Sequence, residues 1–283
     1  MVAGVLIVAL IFVFIAFTDE IKTLYLGAVG KSACRASVEA HSALCLKGLK
    51  PEEIKCPAVS LTIKDKKQEV IKENIAKSML DCWGQFGKGE KEFCGSTGVY
   101  CSVCTVMKFE NKEKIEGLSA YLASASIPDG TMKYADFLGG NVEMSSSFQE
   151  TVGKSGHDII DPKIRDMYAT VFVQIKDQEQ LDNYLKKAKY TAPGVGVVAV
   201  GFGIFKVGSV ITGMSWWTGG GVVAGVTTQV AGGLIMVGGA LYSSLAAYFA
   251  EVPFDKVSYV YFGPYDAESL KALGCTYLPS QQS

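Results

Sequence analysis

The apolar residues of this chain form long uninterrupted runs as well as shorter amphipathic patterns. The longest run covers residues 194–250, where Lys206 is the only formally charged side chain. It is too long for one membrane helix, which takes about 20 apolar residues. A glycine cluster at 219–221 interrupts it just after Trp216 and Trp217, and tryptophan is enriched at membrane–water interfaces. The pattern therefore predicts a glycine-rich transmembrane helical hairpin over 192–250, with both tryptophans as interface anchors.

Small residues recur at four-residue spacing within this predicted hairpin. They are Gly221 and Gly225 in one group and Gly239, Ser243 and Ala247 in another. Small residues at this spacing let helix backbones approach closely in lipid. The spacing fits packing of the two arms on each other and equally fits self-association, and the sequence leaves both open.

One lysine lies deep within the predicted hairpin. If the turn is centred between Trp217 and Thr218, Lys206 lies as far before it as Gln229 lies after it. Helical arms would then place Lys206 at the depth of a polar group formed by Thr227, Thr228 and Gln229. A lysine near mid-membrane costs roughly 2.5–3.5 kcal/mol on insertion scales. Two interpretations follow: a polar layer that fixes register or lines an aqueous path, or a lysine that extends toward an interface.

The N-terminus carries a second apolar run, over residues 2–17, which ends before Asp19 and Glu20. It lacks the basic n-region and the small-residue cleavage site of a secretory signal peptide. We therefore predict an uncleaved signal anchor over 1–18. Three membrane crossings would place residues 19–191 and 251–283 on the same, extracytoplasmic side of a cell membrane.

All eight cysteines fall within these two extramembrane segments. They are Cys34, Cys45, Cys56, Cys82, Cys94, Cys101, Cys104 and Cys275. An even number of cysteines on one side of a membrane is typical of disulfides in an oxidising compartment. Eight cysteines allow 105 pairings, so the connectivity stays open. Cys34 and Cys45 lie too far apart along one predicted helix to bond each other, and we expect Cys275 to bond back to residues before the hairpin.

The shorter patterns predict an α+β domain with a small sheet and several helices. Its main part is residues 19–191, and residues 251–283 complete it with a strand and a helix. Predicted helices cover 30–46, 112–124, 178–188 and 266–273, with another whose inner face carries Ile71, Ile75, Ser78 and Cys82. Predicted strands cover 59–63, 168–175 and 257–262, and a strand also begins near Cys101 and Cys104.

Two cysteine-containing motifs carry a resemblance to a known group of proteins. Cys82-Trp83 is followed by Phe86-Gly87, and a C-x-x-C motif, Cys101 to Cys104, comes later. This combination resembles a family of membrane proteins from small-genome archaea over about residues 34–139, and less closely over 257–279. The resemblance implies a membrane location and no particular activity.

The candidate chemistry of the chain is sparse. Cys101 and Cys104 could form a redox pair, because C-x-x-C motifs can lower a thiol pKa, or they could belong to structural disulfides. A zinc site is chemically possible but lacks the paired C-x-x-C spacing; its candidate ligands are Cys82, Cys94, Cys101, Cys104 and His41. The run 155–158 places serine, histidine and aspartate side by side, but adjacency in sequence is not triad geometry. We expect no metal and no cofactor.

These observations favour a non-enzymatic envelope protein. The function we expect is that of an integral membrane protein with a disulfide-stabilised extracytoplasmic domain, acting as a structural or interaction component of an oligomeric assembly. Its expected partners are the lipid bilayer, further copies of itself and envelope proteins. The net charge of −1 argues against nucleic acid. The alternatives are a pore subunit whose hairpins line an aqueous path and an extracytoplasmic thiol–disulfide protein.

Overall fold

The fold is described from a computed structural model of the chain. The described residues are 30–51, 53–91, 93, 98–128, 130, 132–139, 159–176, 198–206, 229–237 and 257–275. For 198–206 and 229–237 the description covers the backbone and the strand pairing.

Five α-helices, one short 3-10 helix (Gly87–Gly89) and eight strands make up this part of the chain. The helices are α1 (30–46), α2 (Gln68–Gln85), α3 (Leu118–Ser124), α4 (Tyr134–Gly139) and α5 (Ala267–Ala272). The strands are β1 (Val59–Ile63), β2 (Val99–Phe109), β3 (Ile115–Glu116), β4 (Ile159–Ile160), β5 (Met167–Ile175), β6 (Val198–Lys206), β7 (Gln229–Val237) and β8 (Val257–Pro264).

Six of the strands form one mixed sheet in the order β1-β2-β5-β8-β6-β7. Only the β1–β2 pair is parallel, and the other neighbours run antiparallel. Parallel neighbours need a crossover connection, and α2 supplies it between β1 and β2. The strands β3 and β4 form a separate two-stranded sheet. The C-terminal strand β8 thus lies inside the main sheet, between β5 and β6.

The main hydrophobic core lies between α2 and one face of the sheet. Ile71, Ile75, Met79 and Cys82 recur along α2 at helical spacing, and all four are buried in this core. A second cluster covers the opposite face of β2, β5 and β8 and includes Leu273 beyond α5. Strand β5 is therefore buried on both faces, which explains why it reads as a nearly continuous apolar run rather than an alternating one.

The predicted helical hairpin is wrong. Residues 198–206 and 229–237 form the antiparallel strands β6 and β7, and β6 also pairs with β8. None of the helices in the described ranges combines the length and the apolarity that a bilayer crossing needs. An apolar run cannot by itself distinguish a helix from a strand. Its composition favours strands, since glycine disfavours a helix by about 1 kcal/mol and valine, isoleucine and phenylalanine favour strands.

A second correction concerns the helix predicted over 112–124. The chain forms β3 first, and α3 begins only at Leu118 because Gly117 adopts a left-handed conformation with φ 71°. The predicted helices at 30–46 and around Ile71 are confirmed, as are the strands at 59–63, 168–175 and 257–262. The predicted signal anchor over 1–18 and the helix over 178–188 lie outside the described residues.

Candidate functional site

The two cysteines of the C-x-x-C motif form bonds with different partners. Cys101 is disulfide-bonded to Cys275, beyond α5, whereas Cys104 is bonded to Cys82 in α2. Cys101 belongs to the cluster on the far face of the sheet, and Cys104 belongs to the core beneath α2. The sheet therefore separates the two sulfurs, and the motif supplies two cross-links instead of one dithiol pair.

Cys101 and Cys104 lie three residues apart in β2, and the regular alternation of a strand places side chains at that spacing on opposite faces. Val103 pairs with Val171 and Thr105 pairs with Thr170, so Cys104 is an extra residue between consecutive partners. A bulge re-aims side chains relative to the regular alternation of a strand. Here it changes the facing of the residues after Cys104, so that Met107 and Phe109 lie on the same face as Cys104, in the core beneath α2. The sequence carries no signal for this bulge beyond the cysteine itself.

The remaining described cysteines are also cross-linked. Cys34 in α1 is bonded to Cys56, which precedes β1, and Cys45 is disulfide-bonded too. Within the described residues there is no free cysteine and no cluster of metal-ligating side chains. His41 lies in a hydrophobic setting, with its ring 5.9 Å from that of Phe93. Because Cys82, Cys101 and Cys104 are held as disulfides, none of them is available as a thiolate for zinc.

The motif formed by Cys82-Trp83 and Phe86-Gly87 lies in the core. The centroid of the Trp83 ring lies 6.2 Å from that of Phe172 in β5. The Phe86 ring stacks on the Phe172 ring, with 4.3 Å between the two centroids. Phe86 also meets Phe93 edge-on, and Phe93 stacks on Tyr100. This aromatic cluster joins the end of α2 to the sheet. These packing contacts account for the apolar residues of the motif.

A tight turn follows α2 and inserts its backbone into the core. Gly87, Lys88 and Gly89 all have positive φ, at 60°, 55° and 73°. A Cβ atom on Gly89 would lie 2.7 Å from the Trp83 ring and 2.8 Å from Ser258 Cβ. The close approach lets the Ser258 hydroxyl donate to the Gly89 carbonyl at 3.4 Å. Only glycine leaves room for that contact.

Two buried hydrogen-bonded groups lie on the α2 face of the sheet. Ser78 of α2 and Thr170 of β5 share a hydroxyl–hydroxyl hydrogen bond of 2.8 Å. Gln174 of β5 donates to Ser258 Oγ at 2.9 Å and to the Lys91 carbonyl at 3.2 Å. Each bond connects elements that are far apart in sequence. These hydrogen bonds orient α2 and the turn that follows it on the sheet. The side chains in both groups are hydroxyls and an amide, and acid–base catalysis would need a titratable side chain beside them.

The predicted polar layer is only partly within the described residues. Lys206 and Gln229 are partners across β6 and β7, so they stand at the same level of an antiparallel pair. They do so in strands and not in helices. The other residues predicted for the membrane hairpin lie outside the described residues. They are Thr227 and Thr228, the tryptophans Trp216 and Trp217, and the packing residues Gly221, Gly225, Gly239, Ser243 and Ala247. Cys94 and the run 155–158 also lie outside the described residues.

The outer edge of β1 is a surface that the hydrophobic pattern of the sequence does not indicate. Ser60, Leu61 and Thr62 are all exposed, although successive side chains of a strand point to opposite faces. Among the strands that the structure describes, β1 stands at one end of the sheet and pairs with β2 alone. The sequence signal for this edge is a short uncharged strand without proline, followed by a lysine-rich turn.

Comparison of the chain with family models, with curated proteins and with solved structures finds no match.

Proposed function

We propose that this protein is a structural or interaction component of a cell envelope, with its disulfide-braced domain on the extracytoplasmic side. The observation that carries the proposal is the use of the cysteines as long-range cross-links. Cys82–Cys104 joins the crossover helix to the sheet, and Cys101–Cys275 joins the sheet to the C-terminal segment. Disulfides of this kind persist in oxidising compartments and are rare in the cytosol.

The rival function of a thiol–disulfide protein has less support. A catalytic C-x-x-C motif uses its two sulfurs alternately as a dithiol and a disulfide, which requires them to reach each other. Cys101 and Cys104 lie on opposite faces of β2 and are nearly inaccessible, at 0% and 3% exposure. A substrate disulfide could not approach either sulfur without opening the sheet. The pore alternative requires helical hairpins, whereas the described parts of that region, residues 198–206 and 229–237, form strands.

Rapid alkylation of intact cells with a membrane-permeant thiol reagent tests the proposal. The cells are then unfolded in denaturant with the reagent still present, because buried thiols react only after unfolding. We expect no labelling of Cys82, Cys101, Cys104 or Cys275 before reduction, and complete labelling after reduction under the same denaturing conditions. Cells of the same culture expressing a cytosolic thiol protein control for reagent entry. Full labelling of these four cysteines without reduction would contradict the extracytoplasmic assignment. An insulin-reduction assay on the purified protein tests the rival, and a catalytic rate above that of free dithiol would support it instead.

A further inference from the structure

The edge strand β1 has backbone groups that no other described strand uses, as well as exposed side chains. The backbone N–H of Glu110, next to the end of β2, donates to the carbonyl of Ile63 at 3.0 Å. The Ile63 carbonyl therefore faces β2. Since backbone groups alternate in direction along a strand, the N–H and C=O groups of Ser60 and Thr62 face away from the sheet. These are the groups that an added strand would bind.

Within the described ranges, the edge also lacks the usual protection against such pairing. Natural edge strands carry lysine or proline within the strand, or are covered by another element. The five residues of β1, Val59 to Ile63, include neither, and side chains on both of its faces are exposed. The Leu61 side chain sits on the α2 side of the sheet, across from Met107, and is 36% exposed. An added strand would cover it.

We propose that the outer edge of β1 pairs in antiparallel fashion with the same edge of a second copy of this chain. The two-fold axis passes through Ser60 of both copies. Antiparallel pairing of one edge with itself is the two-fold arrangement typical of homodimers, in which one patch meets the same patch. It joins two six-stranded sheets into one continuous sheet. This inference gives the proposed interaction role a surface and a partner, and so rests on that role.

This register matches side chains by chemistry. Val59 of each copy lies opposite Leu61 of the other, which places apolar next to apolar on the α2 side. The outward groups of Ser60 pair with each other, and those of Thr62 pair with Ala58. Continued past both ends of β1, the register sets Asp65 of one copy opposite Lys55 of the other. Neither residue belongs to the strand, and both are exposed. The pairing thus creates two opposite-charge contacts, related by the two-fold axis.

The same geometry predicts a weak association. A single edge contact of this length covers much less than the roughly 1,000 Å² that a stable specific interface needs. We therefore expect a concentration-dependent equilibrium between monomer and dimer at protein concentrations up to about 1 mM, as is usual for small transient interfaces. A high local concentration in an envelope assembly would favour the dimer.

Sedimentation equilibrium of the full-length protein tests the proposal, with Thr62→Pro as the disrupting variant. Proline removes the outward N–H of Thr62 and is tolerated at an edge where that group faces solvent. Two hydrogen bonds per dimer are lost, so association should weaken about tenfold or more. Thr62→Val is the matched control, because it keeps the N–H and the branched shape, and its association should stay within about twofold of the natural protein. Circular dichroism confirms that both variants are folded.

A charge exchange tests the register and does not depend on proline. Asp65→Lys places like charges opposite Lys55 twice per dimer and should weaken association by roughly threefold to tenfold at low salt. The double variant Asp65→Lys/Lys55→Asp restores opposite charges and should recover most of the loss. A natural protein that remains monomeric throughout the series overturns the proposal, as does a dimer unaffected by Thr62→Pro. A dimer weakened by Thr62→Pro but without charge rescue overturns the Ser60-centred register. In-cell alkylation tests the proposed function independently of these outcomes.

Discussion

Cys101 of β2 is disulfide-bonded to Cys275, and their Cα atoms lie 5.6 Å apart although 174 residues separate them in sequence. The bond fixes the end of the described chain to a strand near the middle of the sheet. Because β5 and β8 lie between these cysteines in the sequence, the cross-link closes a loop that contains much of the sheet. Its contribution to stability should therefore exceed that of the shorter cross-links.

Removal of the Cys101–Cys275 bond is the first prediction. In the chain-entropy model, a loop of this length contributes about 5 kcal/mol to the free energy of unfolding, against about 3 kcal/mol for the 22-residue Cys34–Cys56 loop. The double variant Cys101→Ser/Cys275→Ser should thus lose about 2 kcal/mol more than Cys34→Ser/Cys56→Ser. Urea unfolding of the two double variants measures the difference. Equal losses would show that the loop-length argument fails for this protein.

Substitution of Gly89 by alanine is the second prediction. The added methyl would meet the Trp83 ring and Ser258 at less than 3 Å, in addition to the cost of a positive φ. We expect a loss of about 2–3 kcal/mol in unfolding free energy. Gly117→Ala is the matched control, since Gly117 has almost the same φ, 71°, and open space at the Cβ position. It should lose only about 1 kcal/mol. Similar losses at both sites would mean that backbone strain alone matters.

The buried hydroxyl pair provides the third prediction. Ser78→Ala leaves Thr170 Oγ1 without this hydrogen bond, and Thr170→Val leaves Ser78 Oγ without it. Each single variant should lose about 1–3 kcal/mol, because an unsatisfied buried hydroxyl keeps its desolvation cost. The double variant should lose less than the sum of the two, with a coupling of about 1 kcal/mol. Thermal unfolding of the four proteins gives this coupling, and strictly additive losses would rule out an energetic role for the bond.

Alkaline pH should destabilise the protein through Tyr168, which is the fourth prediction. Burial raises the pKa of the Tyr168 hydroxyl to about 12. Because the folded pKa lies above the unfolded value of about 10, the tyrosine's contribution is fully present below pH 10. This contribution is lost as the pH rises from about 10 to about 12, because in that range the Tyr168 hydroxyl ionises in the unfolded chain but stays protonated in the folded protein. Tyr168→Phe should lessen the fall in unfolding free energy over that window, and an unchanged slope would contradict the assignment.

Much of the α+β domain could be predicted from local patterns. The inner face of α2 follows helical spacing through Ile71 and Ile75, and β1 alternates apolar with hydroxyl side chains. The expectation that Cys275 bonds back to residues before the apolar region is confirmed by its bond to Cys101. These features depend on short-range periodicity and on the positions of cysteines, both of which are visible in one sequence.

The remaining features depend on information that a local pattern does not hold. The glycine-rich region was predicted to be helical because its length and apolarity resemble a membrane segment, whereas Val198–Lys206 pairs with both β7 and β8. Strand pairing is a long-range contact, so the apolar run alone could not reveal it. The bulge at Cys104 and the free edge at Ser60 likewise depend on which strands become neighbours.

Peptide mapping under non-reducing conditions is the decisive measurement of the disulfide connectivity. In the structure, the two cysteines of the C-x-x-C motif form separate cross-links on opposite faces of β2. Digestion of natively isolated protein, with free thiols blocked beforehand, should yield peptides linked through Cys82–Cys104 and through Cys101–Cys275. Recovery of Cys101 linked to Cys104, or of both as blocked thiols, would contradict this connectivity.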